Sequence, residues 1–229
     1  MNSKTRLLEA VRNINDNTPA SVKAGVTVVG TINDQNYSAD GIAYLQYNPA
    51  RVKVELHDRI FKSPVVQILA TPERMTTYYP VDQAVNTVDG DFSDPDLQGR
   101  ADSQLFLAYA FSAKIPLVDD YSVSDYTTGR NGTEILTLSN ETVTEEITFS
   151  NGNPTQVVLT NSKNGTQYVL TYYGMYSRNG FTFFKKIRAH STITGDRATI
   201  HYNVVHVNPS FNPSAVFSLE IPDGTRTIR

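Results

Sequence analysis

The residue groups able to do chemistry are few, and their spacing works against most of them. The densest is the acidic stretch VDGDFSDPDLQGR at 88–100, because a hard cation such as Ca²⁺ needs several oxygen ligands close together. In an EF-hand register starting at Asp89, the sixth position is Asp94, where the sharp turn requires glycine. The twelfth is Arg100, where a bidentate glutamate should close the shell. A solvated turn without metal is the expectation. His201 and His206 stand five apart on one predicted strand, so a strict period of two sends them to opposite faces and they cannot share a metal ion. Asp119-Asp120 and Glu145-Glu146 are sequence neighbours, and strand alternation would point each pair of carboxylates apart, leaving no acid/base couple. No glycine-rich phosphate loop, dinucleotide fingerprint or nucleophile elbow is present. Asn36, Asn131, Asn140 and Asn164 head N-x-Ser/Thr sequons, which chance alone supplies in a chain rich in Asn and Thr. The expectation is therefore a non-enzymatic protein with no catalytic residue, metal or cofactor.

Composition narrows the partners. The 229 residues carry a net charge of only −3 with scattered basic residues, so the field that draws proteins to nucleic acid is missing. No cysteine is present, which removes disulfides and thiolate metal sites. No apolar run reaches the roughly 20 residues of a membrane-spanning helix, and no signal peptide precedes Leu7. An excised leader or a lipid anchor would have to lie outside this sequence.

The elements that would position functional groups are mainly strands. SKTRLLEAVRNI at 3–14 places Leu7, Leu8, Val11 and Ile14 at helical spacing behind a Ser3 cap. From Ser21 the period changes to two: Val22, Ala24, Val26 and Val28 alternate with Lys23, Gly25 and Thr27. Further strands are predicted at 41–47, 51–57, 64–70, 74–79, 134–139, 144–149, 155–161, 166–173, 181–190, 197–207 and 215–221. Seven of the 13 glycines follow Asn or Asp, namely Gly41, Gly90, Gly132, Gly152, Gly165, Gly180 and Gly224, and such pairs favour tight hairpin turns. The whole chain, 1–229, reads as one domain built on an antiparallel meander. One segment interrupts it: ADSQLFLAYAFSA at 101–113 is apolar nearly all round with a helix-compatible start, and such a helix must be covered on most sides.

The strand aromatics and aliphatics fill a core, yet a sheet of about eleven strands curls into a barrel wider than side chains alone fill. The stretch YNPARVKVEL at 47–56 shows the pattern: Val52, Val54 and Leu56 on one parity, Arg51, Lys53 and Glu55 on the other. One-sided alternation assigns the cavity to Val26, Val28, Val52, Val54, Leu56, Ile68 and Met75, with Phe149, Leu170, Tyr172, Phe183, Tyr202 and Phe217. Leu105, Phe106 and Tyr109 would form its lid.

Two stretches, GIAYLQYNPARVKVEL at 41–56 and VVQILATPERMTTYYPVDQAVNT at 65–87, resemble in order the periplasmic outer-membrane lipoprotein carriers of the LolA type. The closing ATIHYNVVHVNPSFNPSAVFSLEIPDGTRTI at 198–228 is similar to the end of the same superfamily. TYYGMYSRNGFTFFKKIRAH at 171–190 resembles instead the lipoprotein acceptors of the LolB type. The resemblance implies an unclosed antiparallel β-barrel of about eleven strands, with an N-terminal helix and a lid helix over the concave face. It also implies binding of acyl chains of lipoprotein or lipid in the periplasm, with anchoring to the outer membrane as a lipoprotein one form of it. The partners would be inner- or outer-membrane transport proteins, and the protein a monomer. The alternative within the same fold is an envelope sensor that grips a protein partner on the concave sheet. Where the carriers place a basic lid latch just before the strand's proline, this chain has Asn48, and the nearest base is Arg51. An acceptor would need a protruding apolar loop; FKSPVV at 61–66 is a candidate whose simpler expectation is a buried strand start.

Overall fold

The computed structural model describes residues 2–32, 35–90, 109–118, 120–163, 165, 167–192 and 194–228. Helix α1 (Ser3–Asp16) opens the chain. Its cap is Asn2 rather than Ser3, the Asn2 side chain accepting from Lys4 N–H at 3.1 Å, and Leu7 and Val11 are its buried residues. A first meander follows: β1 (Ser21–Ile32), β2 (Gln35–Tyr47), β3 (Ala50–Asp58), β4 (Pro64–Ala70), β5 (Arg74–Tyr79) and β6 (Ala84–Asp89). The second comprises β7 (Ser122–Thr128), β8 (Thr133–Ser139), β9 (Val143–Ser150), β10 (Asn153–Asn161), β11 (Gln167–Arg178), β12 (Phe181–Ser191) and β13 (Arg197–Val207). Helix α2 (Pro213–Val216) and the two-residue β14 (Arg226–Thr227) close the chain.

All strands join one 14-stranded sheet in the order β14-β6-β5-β4-β3-β2-β1-β13-β12-β11-β10-β9-β8-β7. The antiparallel β1–β13 pair welds the first meander to the last strand of the second. β14 pairs parallel to β6 and forms one edge while β7 forms the other, so the barrel stays unclosed. The mainly β architecture with an N-terminal helix is the one expected. Turn chemistry drives much of it: Asn151-Gly152 and Asn179-Gly180 both take positive φ at the β9–β10 and β11–β12 hairpins, the conformation such two-residue turns demand.

Gly41 departs from that rule. It lies inside β2, where an added Cβ would collide with the Glu55 carbonyl oxygen; it is a close approach on a curved sheet, not a turn. Three strands escaped the sequence pattern. β7 (SVSDYTT) buries no residue fully, so it carries no one-sided alternation; β6 is six residues between turns, and β14 is two. The predicted strand at 215–221 does not form. Asn212 caps Pro213 by accepting from Ser214 N–H at 3.1 Å, and the chain then leaves α2 as coil.

His201 and His206 also differ from expectation. The β1–β13 register shifts between Gly25 and Val26, leaving one extra residue on β13 between Tyr202 and Val204. Buried positions run Ala198, Ile200, Tyr202 and then Val205. The bulge therefore puts both histidines on the outer face. Among the described residues no three His, Cys, Asp or Glu side chains come together as a metal site. The acidic stretch beyond Gly90 and one half of the Asp119-Asp120 pair lie outside the described residues, as do lid residues Leu105 and Phe106. No described helix is long and apolar enough to cross a membrane.

Candidate functional site: a concave face closed by a tethered segment

Alternation sorts the predicted lining residues onto one side of the sheet. Val52, Val54 and Leu56 are buried while Arg51, Lys53 and Glu55 on the other parity stay partly exposed, with Lys53 Nζ paired to Glu55 at 2.8 Å. Cross-strand register continues the apolar surface: Val26 pairs with Tyr202, Val54 with Ile68, Ala70 with Met75, and Tyr172 with Ile187. Twelve of the thirteen predicted lining residues belong to one contiguous cluster that also takes in Leu7 and Val11 of α1. The thirteenth, Phe217, does not. Its ring stacks on Phe211 at 6.0 Å, and Phe211 on Tyr44 at 5.9 Å; Tyr44 sits on the outer parity of β2, so Phe217 packs against the convex side.

The interior expected to stand open is occupied where the structure describes it. In the connection between β6 and β7, residues 109–118 lie on the concave face, and Tyr109, Ala110, Phe111, Ile115 and Val118 join the core cluster. Residues 109–111 are helical, as expected for the lid, and the chain from 114 to 118 has no regular structure. A backbone without strand or helix partners cannot cross an apolar surface with bare N–H and C=O groups, and here side chains supply the partners. Tyr202 Oη donates to the carbonyls of Ala110 (3.3 Å) and Phe111 (3.0 Å). Tyr47 Oη donates to Ser112 O at 3.0 Å, and Tyr172 Oη to Lys114 O at 3.1 Å. Asn15 of α1 clasps Ile115 from both sides, donating to its carbonyl at 2.7 Å and accepting from its N–H at 3.0 Å. Lys114 Nζ lies 5.2 Å from the Tyr47 ring centre.

The last tether is a buried acid. Glu145 occupies an inward position of β9 between Val143 and Ile147 and is fully buried. Its Oε2 accepts from Val118 N–H at 3.0 Å, while Oε1 has no hydrogen-bond partner among the described residues. Burial pushes its pKa up to about 8, the single N–H bond opposing that only in part. At neutral pH the resident form is the neutral acid. Burial likewise raises the Tyr109, Tyr172 and Tyr202 hydroxyls well above their usual range, and lowers Lys114.

Neither Asn48 nor Arg51 hydrogen-bonds to the described residues 109–118. Asn48 is exposed in the β2–β3 turn, where its carbonyl accepts from Gln46 Nε2, and Arg51 pairs with Gln46 on the outer face. Tyr47, one residue before Asn48, is the residue of this turn that bonds to that segment. Glu145 had a visible signal, an acid on the parity of Val143, Ile147 and Phe149. Asn15 had none, because its role depends on a residue 100 positions away. The segment FKSPVV also differs from the buried strand start expected of it: Ile60 and Phe61 are 80% and 82% exposed. Asp58 Oδ1 holds that turn by accepting from both their N–H groups at 2.8 and 2.7 Å.

No protein-family model matches the sequence, and no curated protein matches it. Solved structures do match along nearly its whole length. A domain described as an outer-membrane lipoprotein-sorting protein from Vibrio parahaemolyticus superposes with a TM-score of 0.62 at 8% identity, covering 93% of this chain and 97% of that one. A LolA superfamily protein from Nitrosomonas europaea gives 0.59 at 13% identity, with 96% and 99% covered. A DUF1329 family protein from Desulfovibrio piger gives 0.63 at 10% identity, with 94% and 96% covered. The fold is LolA-like, an open barrel shared with lipoprotein-sorting domains.

Proposed function

We propose that the protein binds acyl chains of lipid or lipoprotein against its concave face, without catalysis, in the cell envelope, and that residues 109–118 are the lid such a ligand displaces. The observation that supports this most is the lid's manner of attachment: an apolar sheet face is closed by a short segment held through side-chain hydrogen bonds instead of a strand ladder. Each such bond is worth only about 1 kcal/mol net. An acyl chain gains ~0.8 kcal/mol per buried CH₂, on the order of 10 kcal/mol gross for a long chain. Displacement also gives up the lid's own apolar burial, Phe111, Ile115 and Val118 among it, and this together with re-formation of the tethers offsets much of the gain and permits release.

The β3–β4 turn favours the acceptor role over the soluble carrier role. Ile60 and Phe61 project from it between Arg59 and Lys62, an apolar tip with basic flanks of the kind that inserts into an anionic membrane surface. Val81, 71% exposed in the β5–β6 turn, stands at the same end of the sheet. On this view the partners are a lipidated protein or lipid, the bilayer, and a membrane transport protein that hands the cargo over.

The test is native mass spectrometry of protein extracted mildly from cells, with uptake of a fluorescent fatty acid measured in parallel. A bound acyl species, and faster uptake by Tyr172→Phe combined with Tyr202→Phe, are expected. Absence of both would refute the reading. For the acceptor role, Ile60→Asp with Phe61→Asp should abolish association with vesicles while leaving fatty-acid uptake intact.

A further inference from the structure

The outer face carries a second feature with a different chemistry. Across β2, β1, β13 and β12 the register lines up two rows of outward side chains at the end of the sheet where Ile60 and Phe61 project. One row runs Ser38, Val29, Thr199, Arg188; the next runs Asn36, Thr31, Arg197, His190. These residues line a cleft of about 780 Å³, within the range of small-molecule sites.

Its charge is one-sided. Arg188 and Arg197 are exposed and His190 half-buried. Arg197 Nε donates to Thr31 Oγ1 at 3.4 Å, and the Arg188 guanidinium lies 5.8 Å from the Tyr173 ring centre, which also carries Lys186 Nζ at 4.1 Å. Among the described residues neither arginine has a carboxylate within ion-pair distance, although the protein as a whole is net negative. The acid in the adjoining row, Asp40, is engaged by Arg59 and Lys62 at 3.5 Å each and by Thr27. Arg188 and Arg197 sit diagonally on neighbouring strands, a relation that places Cβ atoms roughly 7–8 Å apart. Two guanidinium forks at that separation can close on one tetrahedral anion, and unpaired they repel each other. The Asn36 amide and the Ser38 and Thr199 hydroxyls add neutral donors around the same space. A flat carboxylate would leave several of these donors unused; a phosphate offers oxygens enough for them.

We propose that this cleft binds a phosphate ester, with Arg188 and Arg197 as the bidentate ligands and His190, Asn36 and Ser38 as supporting donors. The ester reaches it either as the headgroup of an anionic phospholipid or as a free small molecule. The site lies on the face opposite the acyl-binding surface and does not depend on it.

The experiment compares wild type with R188Q/R197Q, and with R130Q/R178Q as a charge-matched control on turns at the other end of the sheet. Each is measured by co-sedimentation with phosphatidylcholine vesicles with and without phosphatidylglycerol, and by calorimetric titration with glycerol 3-phosphate. Wild type should gain affinity from phosphatidylglycerol, or bind glycerol 3-phosphate. R188Q/R197Q should lose about tenfold or more of that affinity at an unchanged thermal midpoint, while the control keeps it. R188K/R197K, which retains the charge but not the forks, should fall between. A gain on vesicles alone identifies a lipid headgroup, and binding of the soluble ester identifies a free ligand. The proposal is overturned if wild type responds to neither probe, if R188Q/R197Q binds as wild type does, or if the control variant loses as much. Fatty-acid uptake is read on the same samples, so failure of this site is distinguishable from failure of the concave one.

Discussion

Two covers lie on the concave face; both bury apolar side chains, and they differ in how their backbones are satisfied. Helix α1 satisfies its own backbone, capped by Asn2 and by the Asn17 N–H on Asn13 O, and it is held by burying Leu7 and Val11. Residues 109–118 bury Phe111, Ile115 and Val118 as well, but they satisfy little of their own backbone, whose partners are three tyrosines, an asparagine and a neutral carboxyl. Apolar burial is non-directional and indifferent to pH. A set of directional bonds that includes a titrating acid can be exchanged for other donors or released by ionisation. The difference is why the proposed lid is residues 109–118 and not α1.

The largest effect should come from the structural cover. Leu7→Ala removes a fully buried side chain and should cost about 2–5 kcal/mol, read as a lower urea midpoint at an unchanged slope. A loss no larger than that of an exposed substitution would show that α1 is itself dispensable, and the contrast between the covers would collapse.

Next comes Glu145. Its folded pKa of about 8 lies above the ordinary 4.5, so its contribution is fully present below the unfolded value, declines as pH rises from about 4.5, and is lost once pH passes about 8. The total is on the order of a few kcal/mol. Wild type should therefore weaken between pH 5 and 8.5, with amide exchange at 109–118 rising first. Glu145→Gln should flatten that dependence and exceed wild type in stability at pH 8.5. Parallel pH profiles for the two proteins would remove Glu145 from the lid.

Tyr202→Phe should be milder. It leaves the Ala110 and Phe111 carbonyls without their hydroxyl donor, costing about 1–3 kcal/mol. Hydrogen exchange should speed up at 109–118 while the α1 amides keep their protection. Equal acceleration in both covers would mean they open together.

How much of this was legible in the sequence follows from range. The inward set Val52, Val54 and Leu56 was readable because period two is local, and so was the helical turn that holds Tyr109. Phe217 was misplaced because a short-range cap at Asn212 overrode an apolar alternation, and the histidine faces because a single bulged residue inverts every position beyond it. Where the resemblance puts a basic latch the chain has Asn48, and the bond from the neighbouring Tyr47 hydroxyl to Ser112 O has no sequence signal because tertiary structure sets it. Tyr172 and Tyr202 read from the sequence as apolar bulk; their hydroxyls, which hold residues 110–114, have no sequence pattern.

The smallest effect should be at the junction between α1 and the sheet. Arg6 Nη2 meets Glu134 Oε2 at 2.6 Å, and Tyr126 Oη donates to the same carboxylate at 2.7 Å. The pairing lowers the Glu134 pKa and raises that of Arg6, so it persists across the range in which Glu145 titrates. The Arg6 side chain is about half exposed, at 47%, and solvent screens such pairs until they add little. Arg6→Ala should therefore shift the unfolding midpoint barely beyond error, and the shift should shrink further in high salt. Should Arg6→Ala instead destabilise as Leu7→Ala does, charge rather than apolar burial would be what seats α1, and both covers of the concave face would be held by polar contacts.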